Sequence, residues 1–145
     1  MGQVTATTEL VVPATPEQAL AAIGDYATVR PAILPEQYTD YAVQEGGVGD
    51  GTVATWRLHA TEKRVRHVVA DVTTGPDSVT ETDRNSSMVT LFRVVPTGSC
   101  STVTVTTTWQ GAGGIGGFFE RTFAPKGLNR IHGELLSNLA ARLGS

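Results

Sequence analysis

The sequence predicts an α+β fold in which a strongly curved antiparallel sheet of about seven strands wraps a long C-terminal helix, with two short helices after the first strand. Three observations carry that expectation. Runs of alternating apolar and polar residues, separated by Gly-, Pro-, Asn- and Asp-rich turns, fill the chain from Tyr38 to Gln110, as antiparallel hairpins require. A capped helical stretch follows the first such run, from Thr15 to Gly24. Only the last quarter, Gly111 to Ser145, is long enough and apolar enough for a major helix. That helix is expected to lie across the sheet, with a ligand pocket between the two.

Val4, Ala6, Thr8, Leu10 and Val12 alternate with mostly polar neighbours and form a first strand ended by Pro13. Thr15, Pro16 and Gln18 then read as N-cap, first-turn proline and the far end of a capping box. Ala19, Leu20, Ala22 and Ile23 give a short helix with Gly24 as its stop. Asp25 is expected to cap a second short helix through about Val29, broken by Pro31 and Pro35. This pair is a helix-turn-helix only in outline, since its prolines and acids do not suit a DNA reader. Six strands follow: Tyr38 to Gln44, Thr52 to Thr61, Lys63 to Thr73, Val79 to Thr82, Met88 to Val95 and Thr102 to Gln110. In the last of these Val103, Val105, Thr107 and Trp109 share a face, and the threonines between them suit a solvated one.

Leu128, Ile131, Leu135 and Leu139 recur at helical spacing, closed by Leu143. Ile115, Phe119 and Phe123 make a second stripe, set about 140° from Leu128 on an unbroken helix. Pro125 lacks the N–H that would bond the carbonyl of Arg121, so two helical pieces are expected, at 113–124 and 126–143. The first of them is the expected gate. The glycines at 111, 113, 114, 116 and 117 invite a phosphate-loop reading, but no Lys-Ser/Thr pair and no GxGxxG spacing accompany them. A strand-to-helix corner accounts for them better.

At 145 residues one domain with a real core is expected over 1–145. Apolar content of 40% and charged content of 17% fit a globular chain. A net charge of −3 argues against general nucleic-acid binding. One cysteine, Cys100, allows no internal disulfide. No apolar run of about 18 residues is present, so stable membrane insertion is not expected. Cytoplasmic localisation and a monomer or homodimer are the corresponding expectations.

The element order and local wording resemble the polyketide cyclase/dehydrase branch of the START-like (SRPBCC) superfamily, the helix-grip fold of the birch-pollen-allergen type. The resemblance rests on PATPEQALAAIGDY, GGVGDGTVATWRL and GGFFERTFAPKGLNRIHGELLSNLAARL in that order, and it spans essentially the whole chain. It implies a mostly apolar cavity between sheet and helix that takes lipids, sterols, polyketides or similar compounds, with cyclase, aromatase or dehydratase activity in some members. Members often carry a Trp near a Pro after the Asp-Tyr pair; here the segment is ATVRPAILPEQYTDY, so a differently shaped pocket mouth is expected.

Cyclisation in such a pocket needs a donor to polarise a carbonyl and a nearby acid or base. Arg57, His59, Arg66, His67, Arg93, Glu120, His132 and the tyrosines 26, 38 and 41 are the available groups. Alternation turns Arg57 and His59 outward if Trp56 and Leu58 face the pocket. It aligns Arg93 with Val89, Leu91 and Val95, an inward set unless a bend leaves Arg93 at the rim. His67 and Asp71, about 13 Å apart along a strand, are too distant to pair. Arg93, His132 and Tyr26 are therefore the catalytic candidates. Trp56, Leu58, Leu91, Arg93, Trp109, Phe119, Phe123, Leu128, Ile131, His132 and Leu135 are the expected ligand-binding set.

No metal and no cofactor are expected, because three His and one Cys show none of the usual ligand spacings. No GxSxG supports a serine nucleophile, and Lys63 to His67 reads as a solvated basic patch. The expected function is binding of a hydrophobic small molecule, with a cyclase or dehydratase as the alternative. A helix groove that docks a protein partner is a third reading.

Overall fold

The computed structural model describes residues 3–59, 65–110 and 125–144. The elements run β1 (Gln3–Val12), α1 (Pro16–Ile23), α2 (Val29–Ile33), β2 (Tyr38–Glu45), β3 (Val53–His59), β4 (Val65–Gly75), β5 (Ser78–Asp83), β6 (Val89–Thr97), β7 (Cys100–Gln110) and α3 (Pro125–Leu143). The strands form one seven-stranded sheet in the order β1-β7-β6-β5-β4-β3-β2. Every neighbouring pair is antiparallel. β2 to β7 are a meander, and the long return places β1 beside β7.

Alternation sets the inner face. On β3 it carries Ala54, Trp56 and Leu58; on β4, Val68, Ala70 and Val72; on β7, Val103, Val105, Thr107 and Trp109, all buried. Helix α3 turns Leu128, Ile131, His132, Leu135, Leu136 and Leu139 into the same core. This stripe is wider than a single i, i+3, i+4 row, which is why it includes His132 and Leu136. Its closest backbone approach to the sheet is along β1. Burial of each leucine here stabilises by about 1.5–3 kcal/mol.

The capping box at α1 is present as the sequence predicts. Thr15 Oγ1 accepts from the Gln18 N–H at 3.2 Å, and Gln18 Oε1 accepts from the Thr15 N–H at 3.0 Å. The second helix differs from expectation. Asp25 Oδ1 accepts from the N–H groups of Ala27 and Thr28 and so closes a turn, while the helix itself begins at Val29 and contains Pro31. A proline in the first helical turn removes an N–H that has no intrahelical acceptor there, so Pro31 does not break α2.

The C-terminal helix is described over Pro125–Leu143, which covers the expected second piece. The expected first piece at 113–124, with Ile115, Phe119, Glu120 and Phe123, lies outside the described residues. So do the glycines 111–117 and the start of the Lys63 basic run.

Candidate functional site

Between α1 and α2 the chain is clasped by the glycine-rich loop that joins β2 to β3. The N–H groups of Tyr26 and Ala27 both donate to the carbonyl of Gly47, at 2.8 and 3.0 Å, and the Gly49 N–H donates to the carbonyl of Gly24 at 2.8 Å. Gly46 and Gly47 have φ of 68° and 143°, conformations that side chains disfavour. A Cβ on Gly46 would also come within 3.0 Å of the Thr52 backbone. Glycine therefore lets the loop lie against the α1–α2 connection and fix where Tyr26 and Arg30 point. Tyr41 adds a second tie, its hydroxyl donating to the Tyr26 carbonyl at 2.7 Å.

Tyr26 and Arg30 point into the core and converge on Glu81. β5 presents Val79, Glu81 and Asp83 to the interior. Glu81 Oε2 accepts from the Tyr26 hydroxyl at 2.5 Å and from Arg30 Nη1 at 2.6 Å. Arg30 Nη2 donates to the Ile23 carbonyl at 3.1 Å. The guanidinium lies 4.3 Å from the Tyr26 ring centre and 5.1 Å from that of Phe92, a desolvated cation–π contact with each. In register with Glu81 is Thr90, and with Thr90 is Thr107. Their hydroxyls are 2.9 Å apart, so a polar band crosses β5, β6 and β7 in an otherwise apolar surface. Asp83 is also buried, but it accepts from the Val69 and Asn85 N–H groups and the Ser86 hydroxyl. It shapes the following turn.

Burial, reinforced by the Glu81 charge, raises the Tyr26 phenol well above its ordinary pKa, with Arg30 pulling the other way. Burial alone would lower Arg30, yet the neighbouring Tyr26 and Glu81 outweigh it and hold the guanidinium charged. Burial also raises the phenols of Tyr38 and Tyr41. At neutral pH all three tyrosines are hydrogen-bond donors and Arg30 is a cation.

The opposite wall is aromatic. Trp56 stacks with Tyr41 at 6.1 Å and meets Tyr38 at 6.0 Å. Residues 38 and 41 would face opposite ways on a regular strand. A register shift between Thr39 and Ala42, with Asp40 at φ 54°, acts as a bulge and brings both rings to Trp56. From α3, His132 enters the same neighbourhood. Burial, and then the charge of Arg30, lower its pKa to about 4, so the imidazole is neutral at pH 7. Among the described residues, Arg30 Nε, Trp56 Nε1 and His132 Nδ1 are buried here without a hydrogen-bond partner. Each such group carries a penalty of about 1–3 kcal/mol.

Of the residues expected at a site, Trp56, Leu58, Trp109, Leu128, Ile131, His132 and Leu135 are all buried on the inner face or on α3, and Tyr26 joins them. Leu91 and Arg93 do not. β6 turns Thr90, Phe92 and Val94 inward, which leaves Leu91 half-buried and Arg93 exposed on the outer face, where Arg93 Nη1 pairs with Asp77 at 3.2 Å. Alternation misassigned them because this strand is apolar in both parities, and Val95, on the supposed inward side, is 43% exposed. Arg30 and Glu81, absent from the expected set, are its electrostatic centre. Glu81 carried a signal, since it stands two residues from Val79 and so shares its face. Arg30 carried none, lying in a proline-interrupted segment without periodicity.

Outside this region a hollow of about 230 Å³ opens between α1, the glycine-rich loop and the β4–β5 turn, lined by Leu20, Ala21, Gly24, Val48, Gly49, Thr74, Gly75, Ser78 and Val79. Among the described residues, no charged side chain lines it.

Residues 3–144 match the family described as polyketide cyclase / dehydrase and lipid transport. The chain belongs to this family. As a polyketide cyclase/dehydrase family member it is similar to KanY protein, whose NMR solution structure is 52% identical over 100% of both chains with a TM-score of 0.92. It shares its fold with major latex-like protein 151 from Panax ginseng, at 15% identity, 97% of each chain and a TM-score of 0.74. The Zhui aromatase/cyclase from Streptomyces sp. R1128 likewise shares the fold, at 9% identity, 99% of this chain, 94% of that one and a TM-score of 0.74. No curated protein matches the chain. Among the described residues of this family member, no helix is long and apolar enough to cross a membrane.

Proposed function

We propose that the chain binds a predominantly apolar small molecule, lipid-like or polyketide-like, between the inner face of the sheet and α3. The observation that supports this best is an apolar surface interrupted by buried polar atoms of Arg30, Trp56 and His132 that no group among the described residues pairs. Sites for small organic molecules have that composition: mostly hydrophobic walls with a few placed polar groups. A buried ion pair such as Arg30–Glu81 is weak evidence of stabilisation, because apolar residues of similar volume often serve a core as well. Its presence therefore fits a recognition role. Family membership supports a ligand-binding or cyclase role.

Native mass spectrometry after gentle purification tests this reading. A co-purifying or added apolar compound is expected on the wild type and absent from Ala54→Trp, whose bulk enters the inner face beside Trp56, with circular dichroism confirming the fold. A protein that stays empty against lipid and polyketide panels contradicts the reading.

A polyketide cyclase or dehydratase acting at the same place is the second reading, favoured by the burial of Tyr26 and His132 near one arginine. Two features weigh against it. The Tyr26 proton is committed to Glu81, and an imidazole with a pKa of about 4 is a weak base at neutral pH. Conversion of a linear poly-β-ketone thioester to a ring product by the wild type, and its loss in His132→Leu, would establish catalysis.

A further inference from the structure

We propose that this inner site selects its ligand through a neutral hydrogen-bond acceptor, a ketone- or ester-type oxygen on an apolar body, and discriminates against ligands whose polar end is an anion. The inference rests on the binding reading above and goes further, to the chemistry of the ligand's polar end.

The unpaired atoms set the polarity of the partner. Arg30 Nε–H and Trp56 Nε1–H are buried and unpartnered among the described residues, and both can only donate. His132 Nδ1, unpartnered as well, donates or accepts according to its tautomer. The three side chains are each more than nine-tenths buried. They share one neighbourhood: the Arg30 charge acts on His132 and on Tyr38, and Tyr38 meets Trp56. A pure hydrocarbon would leave every one of these atoms unsatisfied, whereas a ligand carrying acceptor oxygens answers the two obligate donors.

Charge decides which acceptor. Arg30 is already neutralised by Glu81, which lies 2.6 Å from its Nη1. A ligand carboxylate or phosphate at Nε would stand on the same guanidinium as the Glu81 carboxylate, inside the core, and like charges so placed cannot both stay ionised cheaply. No spare cation relieves this among the described residues of the inner face. Arg66, opposite Leu58 on β4, is already engaged. A neutral carbonyl takes the donors without disturbing the ion pair, while the apolar inner wall takes the body.

The test uses the full chain and three probes with one skeleton: 2-acetylnaphthalene, naphthalene and 2-naphthoate, each titrated by ¹H–¹⁵N NMR. The ketone is expected to bind about 10-fold or more tighter than either other probe, with the Trp56 indole N–H resonance moving. Trp56→Phe keeps an aromatic ring and removes the donor. It is expected to lower ketone affinity about 2- to 10-fold more than it lowers naphthalene affinity. His132→Phe serves as the second variant should Trp56→Phe fold poorly, with the same excess loss expected for the ketone over naphthalene. Naphthoate or naphthalene binding as tightly as the ketone overturns the selection of a neutral acceptor while leaving the binding reading intact. Failure of all three probes to bind removes the binding reading and this inference with it.

Discussion

Two arginine–carboxylate pairs flank the same hairpin and behave as opposites. Arg30 and Glu81 meet at 2.6 Å with side chains 4% and 8% exposed; Arg93 and Asp77 meet at 3.2 Å with 52% and 47% exposed. The residue chemistry is nearly the same, and what separates the pairs is strand parity. Glu81 is on the inner side of β5, and Arg93 is on the outer side of β6. In water the second pair is screened and loosely held. In the core the first pair needs further hydrogen bonds, so it brings Tyr26 and the Ile23 carbonyl into its network and still leaves Arg30 Nε unpaired among the described residues.

Breaking the inner pair is expected to have the largest effect. Glu81→Ala strands a charged guanidinium and is expected to cost about 3–5 kcal/mol, a fall in Tm of about 10 °C or more. Arg30→Met combined with Glu81→Leu removes both charges and is expected to recover most of that loss. A double variant as unstable as the single one would show that the pair is not the source of the cost.

His132 gives a pH test of the same interior. Its folded pKa of about 4 lies below the ordinary value of 6.5. As pH falls through 6.5 the unfolded chain takes up a proton that the native imidazole refuses, so stability declines from pH 6.5 and levels off below about 4. The full contribution is about 3 kcal/mol. Urea unfolding across this range should show a shallower decline for His132→Leu than for the wild type; identical slopes would place His132 in contact with water.

Tyr26→Phe removes one donor to the Glu81 carboxylate and is expected to cost about 2 kcal/mol. At the outer pair, Arg93→Ala is expected to change stability by less than about 0.5 kcal/mol and ligand binding not at all. A measurable loss of ligand in that variant would erase the contrast between the two pairs.

Much of this architecture is legible in the residues. Thr15 and Gln18 announce α1, and Trp56, Leu58 and Trp109 fall on the inner face by simple alternation. The leucine row of α3 carries His132 beside it. Legibility fails where two patterns compete. On β6, Leu91 and Phe92 are both apolar, so alternation alone cannot choose a parity. The tight turn pairing Thr97 with Cys100 does choose, because it sets Arg93 opposite Thr104, on the solvated threonine face. The bulge at Asp40 is equally silent, since it depends on one residue adopting a left-handed backbone. Glu81 shares the face of Val79 by spacing, but its partner is hidden until Arg30 is placed against it. That contact spans 51 residues and passes through a proline-broken segment with no period to read.

The central claim, that the inner pair marks a ligand site and the outer pair is only surface, is tested most directly by following arginine side-chain Nε–H resonances while a neutral apolar ketone is added. The account predicts movement of the Arg30 signal, together with the Trp56 indole, and a stationary Arg93. Movement of Arg93 with Arg30 and Trp56 unmoved would contradict it.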